Sequence, residues 1–417
     1  MFSRPGHRPL VPALIQRAHR VSRNRDIVYL VTTAGHPNFG DELIVEAWLS
    51  HLAAHRPFAR VIVDSPRPGQ AALLLRHANR RAVFVDTLWR LTLHAAGDEA
   101  GAHIDRDAPW AWVAEAASTP GTAPRESEGV ELLLAADTIH LVGGGFINNV
   151  WPHHVSLVSA IAAAADVSGA RAVATGAGFT PAVEGPARER LLADLGRFDS
   201  VDVRDRPTAE LVSGLLGVTT SGDDAWLSRR VTRRPRAADP TGRVTLCIQS
   251  DLTDDFHWDG HAGVAGLAAF VAATLDSWRV DGRDVTVVEA IPGHDVRVAE
   301  MLGERLADAR RVPFMNVWRN GLPVGIGTTW ISTRFHPHLL AAAAGDSGVA
   351  VVGRPDYYST KHQSLVDAGS AWTVIGNGRD IPPRPTAGGF TPDAAAAHRA
   401  SKRRLAAQLY PAGVRLR

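Results

Sequence analysis

The sequence predicts an α/β protein of two Rossmann-like domains whose parallel sheets face a shared cleft. Three observations carry that expectation. Short β-rich runs alternate with helical patterns through most of the 417 residues, as in strands joined by crossover helices. The chain is too long for one small core. A stretch dense in Arg and Pro, residues 229–242, breaks the alternation midway and reads as a linker, with Arg233-Arg234-Pro235-Arg236 followed by Asp239-Pro240-Thr241-Gly242. In open sheets of this class ligands bind beyond the carboxyl ends of the strands, so the loops that follow strands are where chemistry belongs.

Residues 1–25 form a basic N-terminal arm. Its apolar piece, Leu10 to Ile15, is short and carries Pro12, which does not suit a secretory signal. Arg17 to Arg25 either touches an anionic membrane surface at the periphery or remains a disordered leader. The first domain is expected over 26–228, with strands at Asp26–Thr33, Arg60–Val63, Ala82–Val85, Thr138–Val142, Arg171–Thr175 and Ser200–Val203. Helices fall between them, for example Leu43–Ala54, Val155–Ala165 and Ala187–Leu195. The polar stretch Gly97–Gly129 reads as a surface insertion whose Trp110 and Trp112 either stack on a sugar or pack onto the domain. A second domain follows over 243–380, with strands Val244–Gln249, Asp284–Glu289, Thr328–Ile331, Val349–Val352 and Ala371–Val374 and helices Ala262–Ser277 and Val296–Ala307. Residues 381–417 hold a Pro/Gly segment and a tail helix, Asp393–Leu409.

Composition narrows the class. The formal net charge is +2, and no basic stripe is interleaved with aromatics, so nucleic acid is not an expected partner. The single cysteine, Cys247, cannot form an intrachain disulfide or a Cys-based zinc site, and no other cluster shows metal-ligand spacing. A reducing, cytoplasmic setting fits. No apolar run approaches the roughly 18 residues that span a bilayer. Only two of the 45 basic residues are lysines, Lys361 and Lys402. In a chain that otherwise uses Arg, Lys361 marks a position that needs a compact point charge, whereas Lys402 reads as an incidental member of a charged tail helix.

Six loops carry candidate chemistry. The strand ending at Ile331 runs into Ser332-Thr333-Arg334-Phe335-His336-Pro337-His338, with Pro337 suited to the first position of a helix. Arg334, His336 and the helix N-terminus then converge on one spot suited to a phosphorylated or carboxylated small molecule. The alternative is a surface Arg beside a capping His. After the first strand comes Gly35-His36-Pro37-Asn38-Phe39-Gly40-Asp41-Glu42. Asp41 and Glu42 at a helix start would satisfy its free N–H groups and repel phosphate, so this loop suits hydroxyls, with either carboxylate as acceptor or base, or serves only as a capped turn. Gly143, Gly144 and Gly145 let the backbone approach a ligand closely, or form a tight packing turn. Gly176-Ala177-Gly178 lies on the same presumed edge. Arg204 either reaches an anion or sits in a structural ion pair, with Asp205 as a helix cap and Asp223 and Asp224 as turn formers. Lys361 falls on the same edge as Arg334 and His336.

Taken in order, these loops resemble the polysaccharide pyruvyl transferase family. The resemblance rests on Asn-Phe-Gly-Asp-Glu at Asn38–Glu42, Gly143–Gly145, Gly176–Pro181, Val203-Arg204-Asp205, Asp223, Arg334-x-His336 and Tyr-x-x-Lys at Tyr358–Lys361. It departs from the family's pattern at Gly345–Val349, where Gly-x-Pro-Val is usual, and at Asn148-Asn149. The resemblance implies a GT-B-like fold and transfer of pyruvate from phosphoenolpyruvate to a saccharide or lipid-linked saccharide, forming a ketal. Phosphoenolpyruvate is then a donor substrate, and no cofactor is implied. Arg334, Arg204 and Lys361 would hold its anionic groups, with Asn38, Gly143–Gly145 and Gly178 completing the binding loops. His336 would act as general acid/base and Asp41 or Glu42 would address the alcohol. Two rivals are a nucleotide-sugar glycosyltransferase of the same architecture and a non-catalytic glycan- or anion-binding protein. Leu339–Gly348 lacks the Glu that retaining glycosyltransferases of that type use to hold the ribose.

Overall fold

The structure, a computed structural model, describes residues 26–97, 101, 103–232, 243–325, 327–377 and 380–412. The basic arm, with the membrane contact expected of it, and linker residues 233–242 lie outside these. The first sheet is wholly parallel: β1 (Ile27–Val31), β2 (Arg60–Asp64), β3 (Val83–Val85), β4 (Thr138–Leu141), β5 (Arg171–Ala177), β6 (Ser200–Val203) and β7 (Val218–Thr220). Their spatial order is β3-β2-β1-β4-β5-β6-β7, so the winding reverses between β1 and β4. The second sheet contains β8 (Val244–Cys247); a small hairpin, β9 (His257–Trp258) and β10 (His261–Ala262), follows outside it. It continues with β11 (Val285–Val288), β12 (Arg310–Val312), β13 (Thr329–Ser332), β14 (Ser347–Val351) and β15 (Thr373–Ile375). All are parallel, in the order β12-β11-β8-β13-β14-β15, with the reversal between β8 and β13.

Parallel strands covered on both faces must be apolar throughout, and β1 is buried at every position. Tyr29 and Val31 face one core, under the helices Thr87–Ala96 and Val155–Ser168. Val28 and Leu30 face the other, which continues through the helix Phe39–His55 into the second domain at Trp330, Phe335 and Leu339. A backbone bond from Phe39 N to Ala290 O, 2.9 Å, also joins the domains. The two sheets therefore present their switch points toward one crevice.

Two expectations are corrected. The stretch Gly97–Gly129 is not simply a surface insertion: the helix Pro109–Ser118 buries Val113, Ala116 and Ala117 in the first domain's core, and Trp110 and Trp112 pack beside them. Lys402 is not incidental. The tail helix Pro392–Leu409 returns to the first domain, where Lys402 is fully buried and its Nζ donates to Asp202 Oδ2 at 2.9 Å and Asp224 Oδ1 at 2.8 Å. Asp224 also accepts from Trp48 Nε1, Gly143 N and Thr175 Oγ1, so the tail helix braces the base of the glycine loop.

Candidate active site

A cleft of about 680 Å³ opens between the carboxyl edges of the two sheets. Thr33, Asn38 and Asp41 enter it from the loop and helix after β1, Gly145, Phe146 and Trp151 from the stretch after β4, and Arg204 from the end of β6. Across from them stand Asp251 after β8, Arg334 and His336 after β13, and Tyr357, Tyr358 and Lys361 after β14. The guanidinium, imidazole and ammonium groups picked from sequence thus share one crevice.

Two cations have donors to spare. Arg204 is nearly buried, 3% exposed at its side chain; Nη1 reaches Asp223 Oδ2 at 3.3 Å and Nε reaches Asp205 Oδ2 at 3.4 Å, while Nη2 has no hydrogen-bond partner among the described residues. Its guanidinium lies over the Phe335 ring, 4.8 Å from the centroid, crossing from one domain to the other. Burial opposes its charge, but Asp223 and Asp205 outweigh that and hold Arg204 above the usual arginine range. Lys361 is 7% exposed, and its Nζ sits 3.4 Å from the Tyr357 ring centroid. No ion pair from Lys361 occurs among the described residues. Burial, then the nearby Arg204, push its ammonium well below the usual lysine range. A bound anion would reverse that push. A methyl group on Gly145 would sit 2.5 Å from Arg204 Nη2 and 3.1 Å from Lys361 Nζ, so this glycine leaves the two cations their space.

His336 lies in the first turn of the helix Phe335–Ala343, whose N-cap is Arg334. Pro337 is therefore the third helical residue, not the first. The imidazole Nε2 is 3.5 Å from Asp223 Oδ1, within ion-pair range but without hydrogen-bond geometry. Any side chain on Gly40 would overlap the ring, which fixes the approach of the two domains. Asp223 is a buried bridge: Oδ2 receives Arg204, and Oδ1 faces His336 and receives Ala225 N at 2.8 Å. Burial raises its carboxyl, but His336 and Arg204 overcome this and hold it well below the carboxylate range. Asp41 stands at the opposite wall, fixed by Asn38 Nδ2 at 2.9 Å. Burial lifts its carboxyl above the usual range, and the charges of His336, Lys361 and Arg204 pull it partway back. A carboxylate so desolvated is a stronger base than one in water.

Other residues chosen from sequence have different work. Glu42 does not line the cleft. It is fully buried, Oε1 accepts from Gly35 N at 2.7 Å, and Oε2 has no hydrogen-bond partner among the described residues. Burial pushes its carboxyl up to about 8, so at neutral pH it is chiefly a protonated brace for the turn. Neither Asp41 nor Glu42 caps the helix; Asn38 does, its Oδ1 accepting from Gly40 N at 3.1 Å. Gly143 packs against Asp224, and Gly144 O receives Gly178 N at 2.9 Å, so of the three consecutive glycines only Gly145 borders the cleft. Gly178 contributes by absence, because a Cβ there would collide with Arg204. Arg334 lines the cleft with its guanidinium filled by two carboxylates, those of Asp251 and Asp295. Sequence reasoning missed Asp223 as the shared counter-ion, and Trp151, His153, His154 and Tyr357 as cleft wall. The signal for the wall was present in Trp151-Pro152-His153-His154, a dense aromatic and imidazole run just after the glycine loop.

Solved structures similar to this chain include the Anabaena protein HepE in complex with UDP and glucose, at 9% identity and TM-score 0.49, covering 93% of this chain and 96% of that one. A glycosyltransferase from Rickettsia africae aligns at 11% identity and TM-score 0.47 over 93% and 95% of the two chains. The ADP-heptose LPS heptosyltransferase II of E. coli aligns at 12% and TM-score 0.37 over 92% and 99%. No curated protein sequence matches the chain. The family model of polysaccharide pyruvyl transferases matches residues 38–268, more than half of the chain and the part that holds Asn38, Asp41, the glycine loop, Arg204 and Asp223. The chain belongs to the polysaccharide pyruvyl transferase family.

Proposed function

We propose that this transferase moves the pyruvyl group of phosphoenolpyruvate onto a saccharide or lipid-linked saccharide, forming a pyruvate ketal and releasing phosphate. One observation carries the reading. Lys361 and Arg204 are buried, adjacent and supplied with unused donors, which suits a compact dianion rather than a neutral sugar. His336 gives a proton to the methylene carbon of the donor, and the adjoining carbon accepts the first sugar hydroxyl. Asp41 takes a proton from the attacking alcohol. Phosphate then leaves against Lys361 and Arg204 as the second hydroxyl closes the ketal. Two hydroxyl protons are lost in all; one balances the new methyl group and the other leaves with phosphate. Asp223, held ionised, keeps its carboxylate 3.5 Å from Nε2 of the donating His336 ring.

Phe146 and Trp151 supply an aromatic wall for the sugar on the first domain's side, with Trp151 meeting the edge of Tyr357 from the second. In this reading the reaction belongs to the cytoplasm, with the basic arm touching the membrane surface, and the glycan is destined for the cell envelope. The test is incubation with phosphoenolpyruvate and candidate glycans, following inorganic phosphate and the mass of the glycan. In deuterated water the new methyl group should gain one deuterium. Phosphate release that requires a glycan, with a matching mass gain, is expected. Sugar transfer from a nucleotide-sugar donor with no use of phosphoenolpyruvate would overturn the reading, and so would binding without turnover.

A further inference from the structure

Arg334 faces the cleft, yet both edges of its guanidinium are filled. Asp295 takes the side edge: its Oδ1 accepts from Nε at 2.9 Å and Nη2 at 2.6 Å, while Oδ2 is pinned by Ala290 N at 2.8 Å and Ile291 N at 2.9 Å. Asp251 takes the end-on edge, accepting from Nη2 at 2.5 Å and Nη1 at 3.3 Å. The two carboxylates are held very differently. The Asp295 side chain is 0% exposed, whereas that of Asp251 is 29% exposed and borders the cleft. Among the described residues only Arg334 donates a hydrogen bond to Asp251's carboxylate, and the His294 imidazole lies 3.9 Å away. Its loop is also strained, since Leu252 has φ +50°, a conformation that costs a non-glycine residue.

We propose that Asp251 is an internal stand-in for a ligand carboxylate. The end-on fork of Arg334 is a carboxylate subsite, and a donor's own carboxylate displaces Asp251 from it. This rests on the donor class of the proposed function, an anion with both a phosphate and a carboxylate. The planar fork matches a planar carboxylate, while Lys361 and Arg204 suit the phosphate. Exchanging one carboxylate for another gains little by itself. A ligand already anchored through its phosphate presents its carboxylate at high effective concentration and wins the exchange. A simple monocarboxylate lacks that anchor, so Asp251 selects for the doubly anionic donor. Asp295 stays in place throughout and keeps the guanidinium aimed.

Calorimetric titration of the wild type and Asp251→Asn with phosphoenolpyruvate, pyruvate and inorganic phosphate tests the idea. Removing the competitor should tighten both carboxylates by about tenfold, since binding no longer waits for the fork to empty, and leave phosphate within about twofold. Unchanged or weaker carboxylate binding by the variant, equal tightening of phosphate, or no carboxylate binding by either protein would overturn the proposal. Hydrogen exchange on the wild type covers the case of a misfolded variant. Phosphoenolpyruvate should speed exchange in residues 250–254 and phosphate should not; an unchanged loop overturns the stand-in. None of these measurements reads turnover. Failure of pyruvyl transfer would appear only in the glycan assay, and the pyruvate titration would still decide the role of Asp251.

Discussion

Glu42→Gln separates a structural carboxyl from a catalytic one. Folded Glu42 titrates at about 8, against an ordinary 4.5, because burial disfavours its charge and the bond from Gly35 N offsets only part of that. Its proton is therefore held more tightly folded than unfolded. The contribution is complete below the unfolded value and is lost as pH rises from there through about 8. At 1.36 kcal/mol per unit, the wild type should lose about 1 kcal/mol by pH 5 and about 3 kcal/mol by pH 7 relative to a side chain that is neutral throughout. Gln is such a side chain and can still accept from Gly35 N. Urea unfolding at pH 4, 5, 6 and 7 should show the variant's advantage growing with pH in that proportion. Turnover should survive, because the group does not reach the cleft. Parallel stability profiles, or a well-folded variant without turnover, would refute the assignment.

Three further substitutions probe the site and its supports. Gly145→Ala displaces Arg204 Nη2 and Lys361 Nζ, both ends of flexible side chains, so donor affinity should fall by about tenfold or more while melting temperature hardly moves. Asp223→Asn strips His336 and Arg204 of their shared counter-ion, and kcat should drop by about 100-fold with an altered pH–rate profile; an unchanged profile would remove Asp223 from the mechanism. Lys402→Met leaves Asp202 and Asp224 without their cation in a sealed site, and denaturant unfolding should show a loss of about 3–5 kcal/mol.

Much of the fold was legible because each central strand is apolar on both faces and bounded by turn residues. β1, β4, β5 and β6 fall where the apolar runs place them. The edge strands β7 and β12 were not read, since Val218–Thr220 and Arg310–Val312 are half-exposed and carry no such run. The helix Pro109–Ser118 was hidden inside a stretch that its flanks make look like loop. Within the site, Arg204 and His336 were legible from their places just after strands, and Lys361 from the scarcity of lysine. Their partners were not, because Asp223 meets His336 across a domain boundary that no local pattern encodes. The scarcity of lysine pointed to Lys361 and was set aside for Lys402, yet the structure buries both. Applied evenly, the same signal would have found the tail brace.

Phosphoenolpyruvate binding to the wild type and to Lys361→Met addresses the central claim most directly. Replacing a 7% exposed ammonium that has no carboxylate ion-pair partner among the described residues removes a buried charge, so the variant should be at least as stable as the wild type. Calorimetry should then show one site in the wild type and affinity weakened by about 100-fold or more in the variant, the cost of one charge-assisted contact to a dianion. Equal affinities in two folded proteins would contradict the account, because the lysine's buried position would then have nothing to do with holding the donor.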